Sequence, residues 1–573
     1  MTRRLKLRIG QYSDKGRKQQ NQDFHGALIP KEPQLSLKGA ALAMADGISS
    51  SSVSQIASAA AVKSFLDDYF CTSEAWSVRN AAERVLSATN SWLYSQTRNS
   101  EFRFDRDRGY VCTLSAMVVK ATTAHLFHVG DTRIYRVHNN ALEQLTKDHR
   151  LWVSDDETYL SRALGIDEAL ELDYQALPVR SGDTFVIATD GVYAYADARF
   201  ILDCLQPPEQ DLDAVARRIV EHALERGSHD NLTVQILQID DVPGPEHAVL
   251  QRQVEELPLP PPLEPRMLID GYRIQREIHA TSRSHVYLAA DEENGTQVVL
   301  KTPSIDLGED PAYLERFMLE EWIARRINSL HVLKAAPATR PRSCLYTVSE
   351  YIEGRTLAQW LLDNPTPDLE TVRDIVEQIA RGLRAFHRME MVHQDLRPEN
   401  VMIDANGTVK IIDFGSTRVA GIVESSQGCD QPNLLGTALY SAPEYFLGEP
   451  GSARSDLYSL AVIAYQMLCG RFPYGTDVPK ARTTAAQRRL RYRPVLDDER
   501  EIPAWLDATL KKALHPDPLK RYGELSEFVY DLRHPSQAYL DGSRPPLLER
   551  NPVLFWQGVS LTLSLVIVFL LMQ

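Results

Sequence analysis

One stretch restricts this chain more than any other: Val392-His393-Gln394-Asp395-Leu396-Arg397-Pro398-Glu399-Asn400, followed by Asp413-Phe414-Gly415. It gathers an acid, an amide, a second acid and a base within two short loops. Transfer of a phosphoryl group passes through a loose transition state, which needs positioning and charge neutralisation more than covalent chemistry. An aspartate in the place of Asp395 can accept the proton of an attacking hydroxyl. Asn400 and Asp413 carry the hard oxygen ligands that Mg²⁺ prefers. Upstream, Val372, Ile375, Val376, Ile379, Leu383 and Phe386 recur at helical spacing, so an amphipathic helix is expected over Thr371 to Glu390. It delivers the chain to His393, which is expected to be a packed, hydrogen-bonded structural residue.

Taken with Val298-Val299-Leu300-Lys301 before it and Ala442-Pro443-Glu444 after it, this stretch resembles the signature set of the protein kinases. The resemblance spans residues 269–535 and implies a small sheet-rich lobe and a larger helical one. It implies Asp395 as catalytic base, Lys301 on the α- and β-phosphates of ATP, and Glu320 as the ion-pair partner of that lysine. Counting from Glu320, Ile323 and Ile327 fall on one helical face; from Glu321 they do not. Asn400 and Asp413 would hold Mg²⁺. Arg397 stands where serine/threonine kinases usually carry a lysine against the transferring phosphate, which keeps the charge and changes its geometry. Gly436-Thr437 and Ala442-Pro443-Glu444 would close the activation segment, with Asp456 and Arg521 as anchors of the helical lobe. Pro398-Glu399-Asn400 favours serine or threonine as the acceptor.

Two departures bear on activity. The glycine-rich loop positions align with His279, Thr281 and Ser284. None is a glycine, so the backbone approaches the phosphates less closely, and the Thr281 and Ser284 hydroxyls partly replace amide donors. Gln394 stands where many kinases have the arginine that pairs with a phosphorylated activation loop, so loop phosphorylation is not expected to be required. The alternative to an active kinase is a nucleotide-binding pseudokinase that serves as a sensor or docking module.

The first 240 residues have a different rhythm. Acids sit at the ends of apolar or small-residue runs: Asn21-Gln22-Asp23, Ala43-Met44-Ala45-Asp46-Gly47, Gly130-Asp131-Thr132-Arg133, Thr189-Asp190-Gly191 and His229-Asp230-Asn231. A single Asp-Gly pair is most often only a turn. Five acid-bearing strand ends in one domain instead point to a carboxylate cage for two hard cations that activate water and hold a phosphate ester. The pattern resembles the metal-dependent PP2C family of serine/threonine phosphatases over nearly all of residues 1–240. That resemblance implies two antiparallel sheets flanked by helices, an α/β-β/α sandwich. It puts Asp46, the Gly47 carbonyl, Asp190 and Asp230 on metal ligands for Mn²⁺ or Mg²⁺, Asp23 on the acid that holds metal-bound water, and Asp131 on a third, weaker ion. The basic residue that grips substrate phosphate is Arg17 or Lys18, with Arg17 preferred. Ile48 stands where some members have a histidine proposed as general acid, so leaving-group protonation falls to water. Gln22 replaces an acid near the ions.

Helices are expected over Ser52 to Phe70, capped by the preceding serines, and over Asp211 to Glu225. Residues 241–268 read as a proline-dense spacer, 536–551 as a polar juxtamembrane piece, and 552–572, about 20 residues without charge, as a C-terminal membrane helix. The whole reads as an α+β multidomain chain of 573 residues: a membrane-tethered, bifunctional phosphatase and kinase, with cytosolic catalytic domains and with phosphoproteins, itself or a shared substrate, as the expected substrates. A formal net charge of −14 argues against nucleic acid as a partner. The six cysteines form no CxxC pair, which suits free thiols in a reducing compartment.

Overall fold

The computed structural model describes residues 4–154, 157–206, 211–243, 257–281, 283–307, 310–337, 340–424, 438–496, 502–542, 556–557 and 559–563. The chain divides into two compact units, the first made of Met1–Pro258 with the short segments Met389–Met391 and Val419–Cys429, the second of the rest.

The first unit is built on β1 (Lys6–Asp14), β2 (Phe24–Leu28), β3 (Ala40–Ala45), β4 (Leu114–Lys120), β5 (Thr123–Val129), β6 (Arg133–His138), β7 (Ala141–Gln144), β8 (Arg150–Ser154), β9 (Glu157–Leu160), β10 (Asp173–Pro178), β11 (Thr184–Ala188) and β12 (Leu232–Asp241). Two five-stranded sheets run in the orders β1-β12-β11-β6-β7 and β10-β5-β4-β3-β2, and β8 and β9 form a separate hairpin. Every pairing is antiparallel.

Side-chain size decides which face meets what. On β3, Leu42 and Met44 join Met117, Leu126, Phe185, Ile187, Leu237 and Ile239 from both sheets in one core. Its other face carries Ala41, Ala43 and Ala45, small enough for Ala57 and Ala61 of the helix Ser54–Cys71 to pack against them. Val234 and Ile236 of β12 turn instead to Val215, Ile219 and Val220 of the helix Leu212–Glu225. That helix lies hard on β1, since a Cβ at Gly10 would come within 2.2 Å of Leu212. Strands buried on both faces leave only their ends for polar chemistry. The helix starts differ in their caps: Asp211 accepts from the Asp213 N–H, whereas Val53 stands at the cap of Ser54–Cys71 and no side chain caps it. The serine run expected to cap that helix supplies Ser51 and Ser54 to a buried polar cluster with Gln22 instead.

The second unit opens with an antiparallel sheet of β13 (Leu268–Ile269), β14 (Tyr272–Ala280), β15 (Ser284–Asp291), β16 (Gln297–Pro303) and β17 (Thr347–Glu350), in that order. Leu263, ahead of the expected start at 269, is buried with Tyr272, Ile274, Leu300 and Val348, so the downstream end of the proline-dense segment belongs to this unit's core. The helix Pro311–Arg326 lies between β16 and β17 in the chain, and Leu369–Arg388, Ala453–Cys469, Ala504–Ala513 and Leu525–Arg533 make a helical body. The apolar stripe from Val372 to Phe386 is buried. Ala453–Cys469 starts in a reciprocal Ser452/Ser455 cap and stops at Gly470 in the left-handed region (φ 67°), where glycine carries no side-chain penalty.

The span expected at 552–572 lies mostly outside the described residues; those described within it, 556–557 and 559–563, are helical. Among the described residues no helix is long and apolar enough to cross a membrane.

Candidate active sites

In the first unit the five strand-end acids gather. Asp23 precedes β2, Asp46 follows β3, Asp131 links β5 to β6, Asp190 follows β11 and Asp230 precedes β12. Asp46 feels the other four: burial first, then Asp23, Asp190, Asp131 and Asp230, raise its pKa well above the usual carboxylate range. Burial pushes Asp23 up to about 6, and burial with the charges of Asp131 and Asp230 pushes Asp190 to about 6. Asp23 Oδ2 accepts from Thr233 Oγ1 at 2.6 Å and Thr189 Oγ1 at 3.1 Å, while its buried Oδ1 has no hydrogen-bond partner. An excess of buried carboxylate with an oxygen left over is the donor set a divalent cation offsets. Gly47 is fixed sterically, because a Cβ there would meet Ser54 at 2.8 Å and the Gln22 carbonyl at 2.9 Å.

Among the described residues no three acidic, imidazole or thiol side chains already form a coordination shell. Two protein cations reach in instead. Lys18 is ion-paired with Asp230 and donates to Ser49 Oγ at 2.7 Å. Arg150 bridges Asp131 (2.6 Å) and Asp190 (3.0 Å). Arg17 is exposed, 3.3 Å from His229 Nδ1, and its guanidinium is the more open of the two candidate phosphate grips. Gln22 has a structural task, donating to the Ser51 carbonyl at 2.8 Å and Ser54 Oγ at 2.7 Å.

Sequence reasoning did not single out Arg150, Thr189 or Thr233. Thr233 had a faint signal, lying one strand period after the Asp230-Asn231 turn. Arg150 had none, since only the fold carries β8 to Asp131.

In the second unit, β16 presents Lys301 and the helix Pro311–Arg326 presents Glu320, with Nζ and Oε2 2.6 Å apart. Glu321 points elsewhere, to Arg325 and Arg342. Burial works against the Lys301 charge, but Glu320 and Asp413 more than offset it and its pKa is raised. Burial likewise opposes ionisation of Asp413, yet Lys301 and the Gly415 N–H hold it below the usual range, so Asp413 stands ready as an anionic ligand. Burial raises Asp395, with Arg397 and His393 opposing, a direction that suits a proton acceptor. Asn400 Nδ2 donates to the Asp395 carbonyl at 2.8 Å and to Oδ2 at 3.1 Å, which fixes the orientation of its amide. Arg397 Nε lies 3.9 Å from Asp395 Oδ2.

Supporting contacts hold this loop. Asp456 accepts from the His393 and Gln394 N–H groups (2.9 and 3.0 Å) and lies 2.8 Å from His387 Nε2, steadying Gln394 at φ 66°. His393 is packed edge-on against Phe386 and Phe414, but both ring nitrogens are buried without a hydrogen-bond partner. The expectation of a hydrogen-bonded histidine is corrected there: packing and its backbone N–H hold it. Arg521 and Glu444 form a bidentate pair at 2.8 and 2.7 Å. At the β14–β15 tip, Thr281 Oγ1 accepts from the Arg283 and Ser284 N–H groups and donates to the Ser284 carbonyl. That hydroxyl therefore stabilises the turn. Gly436 and Thr437 lie outside the described residues.

Comparison with known proteins follows this division. Residues 11–235 match the family model of protein phosphatase 2C, and residues 272–531 match that of the protein kinase domain. The chain is 32% identical over 284 residues to the serine/threonine-protein kinase PknA of Corynebacterium glutamicum, covering 48% of this chain and 57% of that one. It is 34% identical over 284 residues to a probable serine/threonine-protein kinase of Streptomyces coelicolor, covering 49% and 41%. The chain thus spans about half the length of the curated relatives it matches. Among solved structures, the Mycobacterium tuberculosis serine/threonine phosphatase PstP matches at 24% identity and a TM-score of 0.35, over 41% of this chain and 99% of that one. The M. tuberculosis PknI kinase domain matches at 24% and 0.37, over 48% and 100%.

Proposed function

Because this chain joins a protein phosphatase 2C domain to a protein kinase domain, we propose that it both removes phosphate from serine and threonine residues and adds it to them. The single observation that carries the reading is that each unit assembles its own complement of charged groups: five strand-end acids in the first, and Lys301, Glu320, Asp395, Asn400 and Asp413 in the second.

In the first unit Asp46, the Gly47 carbonyl, Asp190 and Asp230 would hold divalent cations, Mn²⁺ or Mg²⁺, with Asp131 toward a third. When bound, such cations supply an activated water and neutralise the phosphate ester. The protein's own part is to hold Asp23 beside that pocket through Thr189 and Thr233 and to present the exposed Arg17 to the incoming phosphate. Water attacks phosphorus and releases a proton to solvent, the ester P–O bond breaks, and the departing alcohol takes its proton from solvent, since Ile48 offers none.

In the second unit Lys301 orients the ATP phosphates, Asn400 and Asp413 would hold Mg²⁺, and Arg397 offsets charge on the transferring group. The substrate hydroxyl attacks the γ-phosphorus, Asp395 takes its proton, and ADP leaves. The Lys301–Glu320 pair and an ionised Asp413 support catalysis. The turn-bound Thr281 hydroxyl favours the rival reading, a unit that binds nucleotide without transfer. The uncharged stretch 552–572 supports attachment to a membrane with the catalytic units on the ATP-containing side.

The test is direct. The full chain should release phosphate from a phosphothreonine peptide only with Mn²⁺ or Mg²⁺, and should label itself or a peptide from ATP. Asp413→Ala should abolish labelling and leave hydrolysis intact. Labelling by Asp413→Ala equal to wild type refutes the kinase half; nucleotide binding with no transfer selects the rival.

A further inference from the structure

Arg150 begins β8, and the chain just before it is tied to the loop that carries Asp131. The His149 N–H donates to the Gly130 carbonyl at 2.8 Å, and His149 Nδ1 accepts from the Gly130 N–H at 3.1 Å. The arginine therefore enters the acidic pocket from a fixed base. Its Nε donates to Asp131 Oδ2 at 2.7 Å and its Nη2 to Asp190 Oδ2 at 3.0 Å. Nη2 also lies 3.3 Å from the Tyr193 hydroxyl, which in turn donates to the Asp131 carbonyl at 3.0 Å. Asp131 is 8% exposed, while the Arg150 and Asp190 side chains are 26% and 33% exposed, so solvent screens the contact only in part. Deeper in the same pocket Asp23 keeps a buried carboxylate oxygen with no partner, an independent sign that the pocket is short of cations.

We infer that Arg150 is a built-in counter-cation for the Asp131–Asp190 pair, competing with a divalent cation for that position and so setting how many ions the pocket holds. The inference rests on the reading of this pocket as a metal site. A guanidinium brings one diffuse charge and cannot coordinate as a metal does. It satisfies the two carboxylates while the position is free of metal, and must withdraw when an ion takes both. Arg150 is thus a positioning residue for metal occupancy: it touches the acids and contributes no atom to the reaction.

The experiment is Mn²⁺ titration calorimetry on the full chain, with melting of the first unit followed with and without Mn²⁺. The proteins are wild type, Arg150→Gln, Arg150→Ala and Arg150→Lys. Loss of the charge should tighten the weakest Mn²⁺ equivalent by at least about tenfold, the scale on which groups next to metal ligands act, or add an equivalent. The metal-free melting temperature should fall and the rise on adding Mn²⁺ should grow, while Arg150→Lys stays near wild type. Neutral variants that fold only with Mn²⁺ also support the inference. Identical titrations for all four proteins overturn it and leave the metal reading standing. Absence of Mn²⁺ binding in every protein overturns both. Neutral variants that stay unfolded even in Mn²⁺ make Arg150 a structural residue, and the inference fails.

Discussion

Replacing Lys301 by methionine removes a charge from a pocket that holds two acids. Glu320 lies 2.6 Å away, and Asp413 interacts with the same ammonium. At that separation and an effective dielectric of about 20, opposite charges attract by roughly 6 kcal/mol. Desolvation cancels much of this. The Lys301 and Glu320 side chains are 21% and 12% exposed, which places the pair between a surface ion pair and a fully buried one. We expect Lys301→Met to cost about 3 kcal/mol, because it strands both carboxylates. Glu320→Gln should cost roughly half as much, since Asp413 still faces the lysine. The double variant should cost about 2 kcal/mol, a coupling near 2 to 3 kcal/mol. For a unit of this size about 3 kcal/mol lowers the melting temperature by roughly 6 to 12 °C. The assay is scanning calorimetry of the full chain, following the transition that ATP raises. Losses that simply add, with coupling under about 0.5 kcal/mol, would refute the claim that this pair shapes the nucleotide site.

Further consequences concern other parts of the molecule. Arg521→Ala leaves Glu444 buried without its bidentate partner and should destabilise the second unit by about 3–5 kcal/mol; a loss under 1 kcal/mol in denaturant unfolding contradicts that. Asp456→Ala frees the His393 and Gln394 backbone and should lower kcat for transfer more than it raises KM for ATP, with steady-state kinetics as the check. Asp23 has a folded-state pKa of about 6 against a usual 3.8. Its contribution to stability is therefore complete below pH 3.8 and lost as the pH rises through about 6. Asp190, one of the acids that would hold a cation, is likewise pushed up to about 6 and must be ionised to bind one, so Mn²⁺ affinity should weaken toward tenfold per pH unit below about 6. The difference in melting temperature with and without Mn²⁺ should accordingly shrink from pH 7 to pH 5. His125 and His128, both held down near 4 by burial, act alike in the two samples and drop out; an unchanged difference contradicts the reading.

How far the sequence reached depended on the kind of signal. The run Ala43-Met44-Ala45 marks a short buried strand, and Asp46 after it marks where the strand must meet water. The choice of Glu320 over Glu321 was legible because Ile323 and Ile327 fix the buried face of their helix, and the structure pairs Glu320 with Lys301. What escaped was side-chain satisfaction in three dimensions. Thr281 aligns with a glycine of the phosphate loop, but its hydroxyl closes its own turn. The His393 ring is held by Phe386 and Phe414, which no local pattern reveals. Leu263 lies in a proline-dense segment that reads as a spacer, yet it fills a gap in the sheet core. Arg150 reaches Asp131 only because β8 folds back past Gly130.

The central claim is that one half writes what the other erases. Time-resolved labelling with γ-labelled ATP and Mn²⁺ on wild type, Asp190→Ala and Asp395→Ala tests it most directly. The account predicts label that rises and then falls in wild type, label that persists in Asp190→Ala, and no label in Asp395→Ala. Label that persists equally in wild type and Asp190→Ala, or appears in Asp395→Ala as in wild type, would contradict it.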